Sequence, residues 1–156
     1  MPLKRLKKFL DDNNIKYVII YHSRAFTAKE TAISAHIPGK ELAKTVMVKI
    51  DGKMAMAVLP ASHKVNFDLL KAATNSGKVE LASEKEFKDL FPECEVGAMP
   101  PFGNFYGINV YVTESLAEDE EIAFNAGSHR ELVKMAYKDF EKLAKPKVVK
   151  FSVEMK

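Results

Sequence analysis

Asp51-Gly52 separates two short strand-like runs, residues 44–50 and 53–59, and nothing else stands between them. A two-residue link of this kind needs a positive φ at both positions, which Asp and Gly accept, and it turns one strand directly back on the next. A β-hairpin is therefore the most constrained piece of this chain. Lys44 stands at its entrance.

The remaining elements follow from period and punctuation. Leu3, Leu6, Phe9 and Leu10 recur at helical spacing between Pro2 and Asn13-Asn14, which predicts an amphipathic helix. Tyr17-Val18-Ile19-Ile20-Tyr21 reads as a buried strand. Thr27-Ala28-Lys29-Glu30 has the form of a capping box, opening a helix that runs to about Ala35 before Pro38-Gly39 breaks it. Asn66 is placed to cap a helix over residues 67–73, and Ser83 with Glu86 forms a second capping box for a helix that Pro92 ends. Residues 78–82 between them make a weak strand. From Gly97 to Gly107 three glycines and two prolines exclude a regular helix and a central strand, leaving a shaped loop. Strands are expected at 108–112 and 122–125, in the apolar alternation up to Tyr137, and at 148–153, with a short helix at 139–144. Strands outnumber helices and hairpins dominate. The expectation is one compact α/β (α+β) domain over residues 1–156, with a mixed, largely antiparallel sheet or partly closed barrel flanked by helices.

Composition bounds the function. With 47% hydrophobic and 29% charged residues in 156, the chain can bury a core and is too apolar to be disordered. A net charge of +3, from 24 basic and 21 acidic residues, permits an RNA partner without arguing for one. Basic residues gather at Lys4, Arg5, Lys7 and Lys8 and at Lys145, Lys147 and Lys150, where solvated faces of a helix and a strand account for them. Cys94 has no second cysteine to pair with, and no Cys or His pair stands at zinc-ligand spacing, so a reducing, metal-free context is expected. The first residues run straight into the amphipathic pattern with no long apolar run or cleavage site, which predicts a cytoplasmic protein with no membrane partner.

No nucleophile elbow, phosphate-binding glycine loop or His-Glu-x-x-His motif is present. The candidates sit in loops and at strand ends, where functional groups gather. Lys44 opens an apolar strand and is either a fixed positive charge for a phosphate or developing oxyanion, or a strand-end lysine reaching for solvent. Gly97-Ala98-Met99-Pro100-Pro101 is either a loop whose N–H groups face a carbonyl or an anion, or a structural connection. Asn125-Ala126-Gly127-Ser128-His129 offers a hydroxyl and an imidazole in one turn, and equally reads as a plain tight turn. His22 and Ser23 end the second element and could line the same mouth. Cys94, between Glu93 and Glu95, is set aside because negative neighbours raise a thiol's pKa, and surface positions account for His36 and His63.

Taken in order, His22-Ser23-Arg24-Ala25-Phe26-Thr27-Ala28, Ala43-Lys44-Thr45-Val46, Gly97-Ala98-Met99-Pro100-Pro101-Phe102-Gly103 and Phe124-Asn125-Ala126-Gly127-Ser128-His129 give the chain its likeness. It resembles the YbaK/EbsC family of trans-editing aminoacyl-tRNA deacylases, which is similar to the editing insertion domain of bacterial prolyl-tRNA synthetases. The resemblance implies hydrolysis of the ester joining a small wrong amino acid to tRNA, without metal or cofactor. Its partners would be mischarged tRNA, bound through the 3′-terminal aminoacyl-adenosine, and an aminoacyl-tRNA synthetase. It puts the pivotal lysine on Lys44, the Gly-x-x-x-Pro loop on Gly97, Pro100 and Pro101, one pocket wall on His22, Phe26 and Thr27, and the late turn on Gly127, Ser128 and His129. It also implies that the substrate's own 2′-hydroxyl activates the attacking water. Phe26, Met47 and Met99 are the candidates for setting the size limit. The rival readings are a non-catalytic module that binds tRNA or a nucleotide alongside a synthetase, and a domain without a ligand, in which the 97–101 loop and the 125–129 turn would lie apart.

Overall fold

The computed structural model describes residues 2–22, 31–32, 35, 37–95 and 97–155. Its elements, in chain order, are α1 (Pro2–Asp12), β1 (Tyr17–Tyr21), β2 (Leu42–Ile50), β3 (Lys53–Pro60), β4 (His63–Val65), α2 (Phe67–Thr74), β5 (Val79–Leu81) and α3 (Glu84–Phe87). There follow β6 (Asn109–Thr113), α4 (Glu114–Ala117), β7 (Glu121–Asn125), β8 (Glu131–Ala136), α5 (Tyr137–Ala144), β9 (Lys147–Val149) and β10 (Ser152–Glu154). The capping box expected at Thr27 and Glu30 lies outside the described residues, and so does His36.

The hairpin forms as its turn requires. Asp51 and Gly52 have φ of 50° and 83°, and β2 and β3 pair without interruption from Ile50 opposite Lys53 to Ala43 opposite Pro60. Around this hairpin an eight-stranded mixed sheet is built in the order β1-β8-β7-β2-β3-β6-β9, with β5 pairing β2 off that path. Antiparallel ladders join β1 to β8, β8 to β7, β2 to β3 and β2 to β5, whereas β2 with β7, β3 with β6 and β6 with β9 run parallel. β1 and β9 stand at opposite ends, so the sheet stays open and the barrel alternative is set aside. β4 and β10 form a separate two-stranded sheet.

Both faces of the large sheet are covered. On one, Met47, Met56, Val58, Val112, Phe124 and Val133 pack against Leu6 and Leu10 of α1 and Phe140 of α5. The other carries two smaller groups, one with Leu59, Leu70 of α2 and Phe151, the other with Leu42, Ala123 and Leu132. The Asn66 side chain accepts from the Leu69 N–H at 3.0 Å and starts α2 as its sequence requires. Asn66→Ala should therefore cost about 1 kcal/mol in urea denaturation, the usual worth of such a cap. Ser83 and Glu86 exchange both bonds of the second capping box.

Three expectations need correction. β1 is not a buried strand: among the described residues it is the outer strand, paired only with β8, and Val18 and Tyr21 are 59% and 69% exposed. Residues 148–153 do not form one strand, because β9 joins β6 while β10 leaves to pair β4, with the fully buried Phe151 between them. His63 is not a bare surface residue either: its Nδ1 lies 2.8 Å from Ser152 Oγ, which in turn lies 2.8 Å from Thr113 Oγ1.

Candidate functional site

The sheet contains a split, and Lys44 stands in it. β3 runs along one edge of β2 for nearly its whole length. On the other edge β7 pairs only with Leu42 and Ala43, and β5 takes over at Val48. Among the described residues no strand covers that edge over residues 44–47. Alternation places Lys44 on the face of Leu42, away from the core that holds Ala43 and Met47. The next register step after Ala43 opposite Phe124 sets Asn125, the last residue of β7, beside Lys44.

Lys44 differs physically from the other partly buried lysine of its strand. Lys49 meets Glu80 at 3.3 Å and Glu86 at 2.5 Å, and those bonds, Glu86 first, raise its pKa. Lys44 has no carboxylate partner among the described residues, and half-burial lowers its pKa below the usual lysine value of 10.5. A desolvated ammonium with no carboxylate beside it among the described residues is suited to an anion.

Beyond Asn125 the chain enters the turn at Gly127, Ser128 and His129, and the 97–101 loop packs onto it. Gly127 N–H donates to Ala98 O at 2.8 Å, and Glu95 N–H donates to Gly127 O at 2.8 Å. The Glu95 carboxylate accepts from the His129 N–H at 2.9 Å, and Ser128 Oγ accepts from the Arg130 N–H at 3.3 Å. His22 joins the same turn through its N–H, which donates to Arg130 O at 2.9 Å. The loop and the turn are thus one hydrogen-bonded unit, which removes the reading that set them apart. Ala98, Met99, Pro100 and Pro101 are buried while Gly97 is exposed, so the prolines stiffen the loop from beneath. Phe26 and Thr27 lie outside the described residues. Met47 and Met99, expected to limit substrate size, belong instead to the core on the face opposite Lys44, each only 3% exposed.

Gly97 has φ +84°, and a Cβ there would stand 3.5 Å from His129 Cε1, an ordinary contact. The strain of a side chain at Gly97 therefore comes from its own backbone and not from crowding. Gly97→Ala should lower stability by about 1–2 kcal/mol in urea denaturation, the cost of forcing an L-residue into this region. Two contributors escaped the sequence reading. Glu95, which ties the loop to the turn, entered only as a negative neighbour of Cys94, and Asn125 stood in a quoted motif without a role.

Burial pushes the Cys94 thiol up, and Glu93 adds to the rise, which agrees with leaving it out of the chemistry. Among the described residues no group of three His, Cys, Asp or Glu side chains is placed to hold a metal ion, and no helix is long and apolar enough to cross a membrane.

The model of the aminoacyl-tRNA editing domain matches residues 22–143, a stretch that takes in Lys44, the 97–101 loop and the 125–129 turn. The chain belongs to the aminoacyl-tRNA editing domain family. Among curated proteins this editing domain is similar to the proline--tRNA ligases of Bacillus mycoides (strain KBAB4) and Bacillus cereus (strain AH187), each 29% identical over 89 residues. Those alignments cover 57% of the chain and 16% of either ligase, so the match spans about a sixth of the relatives' length. Among solved structures the editing domain superposes on a proposed trans-editing enzyme for prolyl tRNA synthetase with a TM-score of 0.82 and 19% identity, covering 97% of both chains. It superposes on a hypothetical protein with a TM-score of 0.84 and 19% identity, covering 95% of this chain and 99% of the other. At that identity the two structures speak for the fold.

Proposed function

We propose that this editing domain is a trans-acting aminoacyl-tRNA deacylase of the YbaK/EbsC kind, working in the cytoplasm on tRNA that carries a small wrong amino acid. The observation that carries the reading is Lys44: half-buried, without a carboxylate partner among the described residues, and set at the split of the sheet beside the joined loop and turn. The family and the similarity to proline--tRNA ligases support a mischarged tRNA as the partner, with a prolyl-tRNA synthetase as the enzyme whose errors it follows.

The chemistry asked of such a site is modest. An aminoacyl ester is already activated, so a positioned water and a stabilised oxyanion suffice. Water attacks the ester carbonyl, the carbon–oxygen bond to the ribose breaks, and a proton ends on the ribose oxygen. Lys44 supplies positive charge to the 3′-terminal phosphate and the developing oxyanion. The 97–101 loop and the 127–129 turn frame the ester, while His22, Ser128 and His129 line the mouth. Phe26 and Thr27 are assigned to the pocket wall by the resemblance alone.

Incubating the protein with tRNAs that carry labelled alanine, serine, cysteine or proline tests this reading. Release of one amino acid, well above the spontaneous rate, is the expected result. Binding of charged tRNA without release from any of them would instead make the chain a non-catalytic module that works beside a synthetase.

A pH dependence follows from the desolvation of Lys44. The protonated amine is the form that binds an anion, and its pKa is lowered. Affinity for a non-hydrolysable 3′-amide analogue of the substrate should be full at neutral pH and fall as pH rises through that lowered pKa. Lys44→Arg, whose charge persists, should show no such fall in the same range when binding is followed by fluorescence anisotropy.

A further inference from the structure

Asn125 carries a group that the deacylase account leaves unexplained. Its side-chain oxygen, Oδ1, is sealed from water and has no hydrogen-bond donor among the described residues. Most buried acceptors in native proteins have a partner, because one left without a donor forfeits the bond it made to water. Its position is also informative. Asn125 follows Phe124, the last residue of β7 paired to β2, and so lies beside Lys44. Leu42 and Ala123, two residues before each of them, pack together with Leu132, which puts Lys44 and Asn125 on one face of the sheet.

We propose that Asn125 Oδ1 accepts a hydrogen bond from the α-amino group of the bound aminoacyl moiety, making Asn125 a specificity-determining residue that separates aminoacyl esters from other acyl esters. The proposal rests on the reading of this site as one for aminoacyl-tRNA. The residue is half-buried, and its carboxamide turns about a broad two-fold torsion, so the oxygen can face a ligand in the split without repacking the strand. The neutrality of the amide matters as well. A carboxylate at this position would stand one strand spacing, about 4.8 Å, from β2 and would pair with Lys44, cancelling the charge that the ester and phosphate need. An uncharged acceptor takes the amine and leaves Lys44 free.

The test compares binding of two non-hydrolysable RNA 3′ ends, one carrying alanyl-amide and one carrying propionyl-amide, which lacks the amine. Wild type should prefer the alanyl form, and Asn125→Ala should reduce that preference by about 10–100-fold while leaving propionyl binding nearly unchanged. Asn125→Asp, which keeps an acceptor oxygen, should weaken both ligands through Lys44 and retain the preference. An unchanged preference in Asn125→Ala would overturn the proposal and leave the oxygen a buried acceptor with no part in recognition. Because the readout is binding, an absence of hydrolysis would count against the deacylase reading alone.

Discussion

Lys44→Ala should lower kcat/KM for deacylation of mischarged tRNA by about 100–1,000-fold, the range for removing one preorganised group that stabilises a developing oxyanion. The size of the effect comes from the absence of a substitute. Lys49 on the same strand is engaged by Glu80 and Glu86 and is not free to replace it. The fold should survive the change. Among the described residues Lys44 gains no ion pair, and half-burial disfavours its charge, so its contribution to stability at neutral pH is negative. Its folded-state pKa lies below the unfolded one, so that cost is full below the folded pKa and fades as pH rises toward the unfolded value. Lys44→Met, which keeps most of the stem, should therefore melt no lower than wild type while losing as much activity as Lys44→Ala. A loss of activity accompanied by a large drop in Tm would instead mean that Lys44 holds the sheet together.

Phe102→Ala should be the most damaging core substitution, costing about 3–5 kcal/mol out of a total that is usually 5–15. Phe102 is fully buried and meets Phe9, Phe124 and Phe140 edge-on, with ring centroids 5.8, 5.6 and 5.4 Å away. It thereby fastens α1, β7 and α5 to one point. It also ends the loop of the site: its N–H donates to Pro100 O at 2.8 Å, and a Cβ on the following Gly103 would stand 2.3 Å from Ile108 O, so the chain has no room to shift there. Urea denaturation should show the loss, and Phe102→Leu, which refills part of the cavity, should recover a good share of it. A cost below about 1 kcal/mol would mean that the four rings do not act as a common anchor.

What the sequence made legible was local. The Asp51-Gly52 turn, the Asn66 cap and the Ser83–Glu86 capping box involve neighbours along the chain, and each formed where its residue pattern required. Features set by distant partners were harder to read. The apolar run of β1 gave no sign of being outermost, because that depends on β8 being its one neighbour among the described residues. The separation of β9 from β10 depends on β6 and β4 claiming different parts of one apolar stretch. The same division holds in the site. The motif stretches were visible, whereas the split in the sheet arises only because β7 and β5 share an edge of β2. Met47, next to one motif stretch, and Met99, within another, were candidates for the size limit, and strand alternation sends Met47 to the opposite face. Glu95 became visible only once its carboxylate was seen on the His129 N–H, a contact across 34 residues of chain.

The most direct test is a single-turnover experiment on the mischarged tRNA that wild type clears fastest, with wild type and Lys44→Met compared at equal saturation and their tRNA affinities measured alongside. The account predicts rapid release of the amino acid by wild type, and release near the spontaneous rate by a Lys44→Met protein that is fully folded. Equal rates from the two proteins would contradict it, since the half-buried ammonium at the split of the sheet would then have no part in the chemistry.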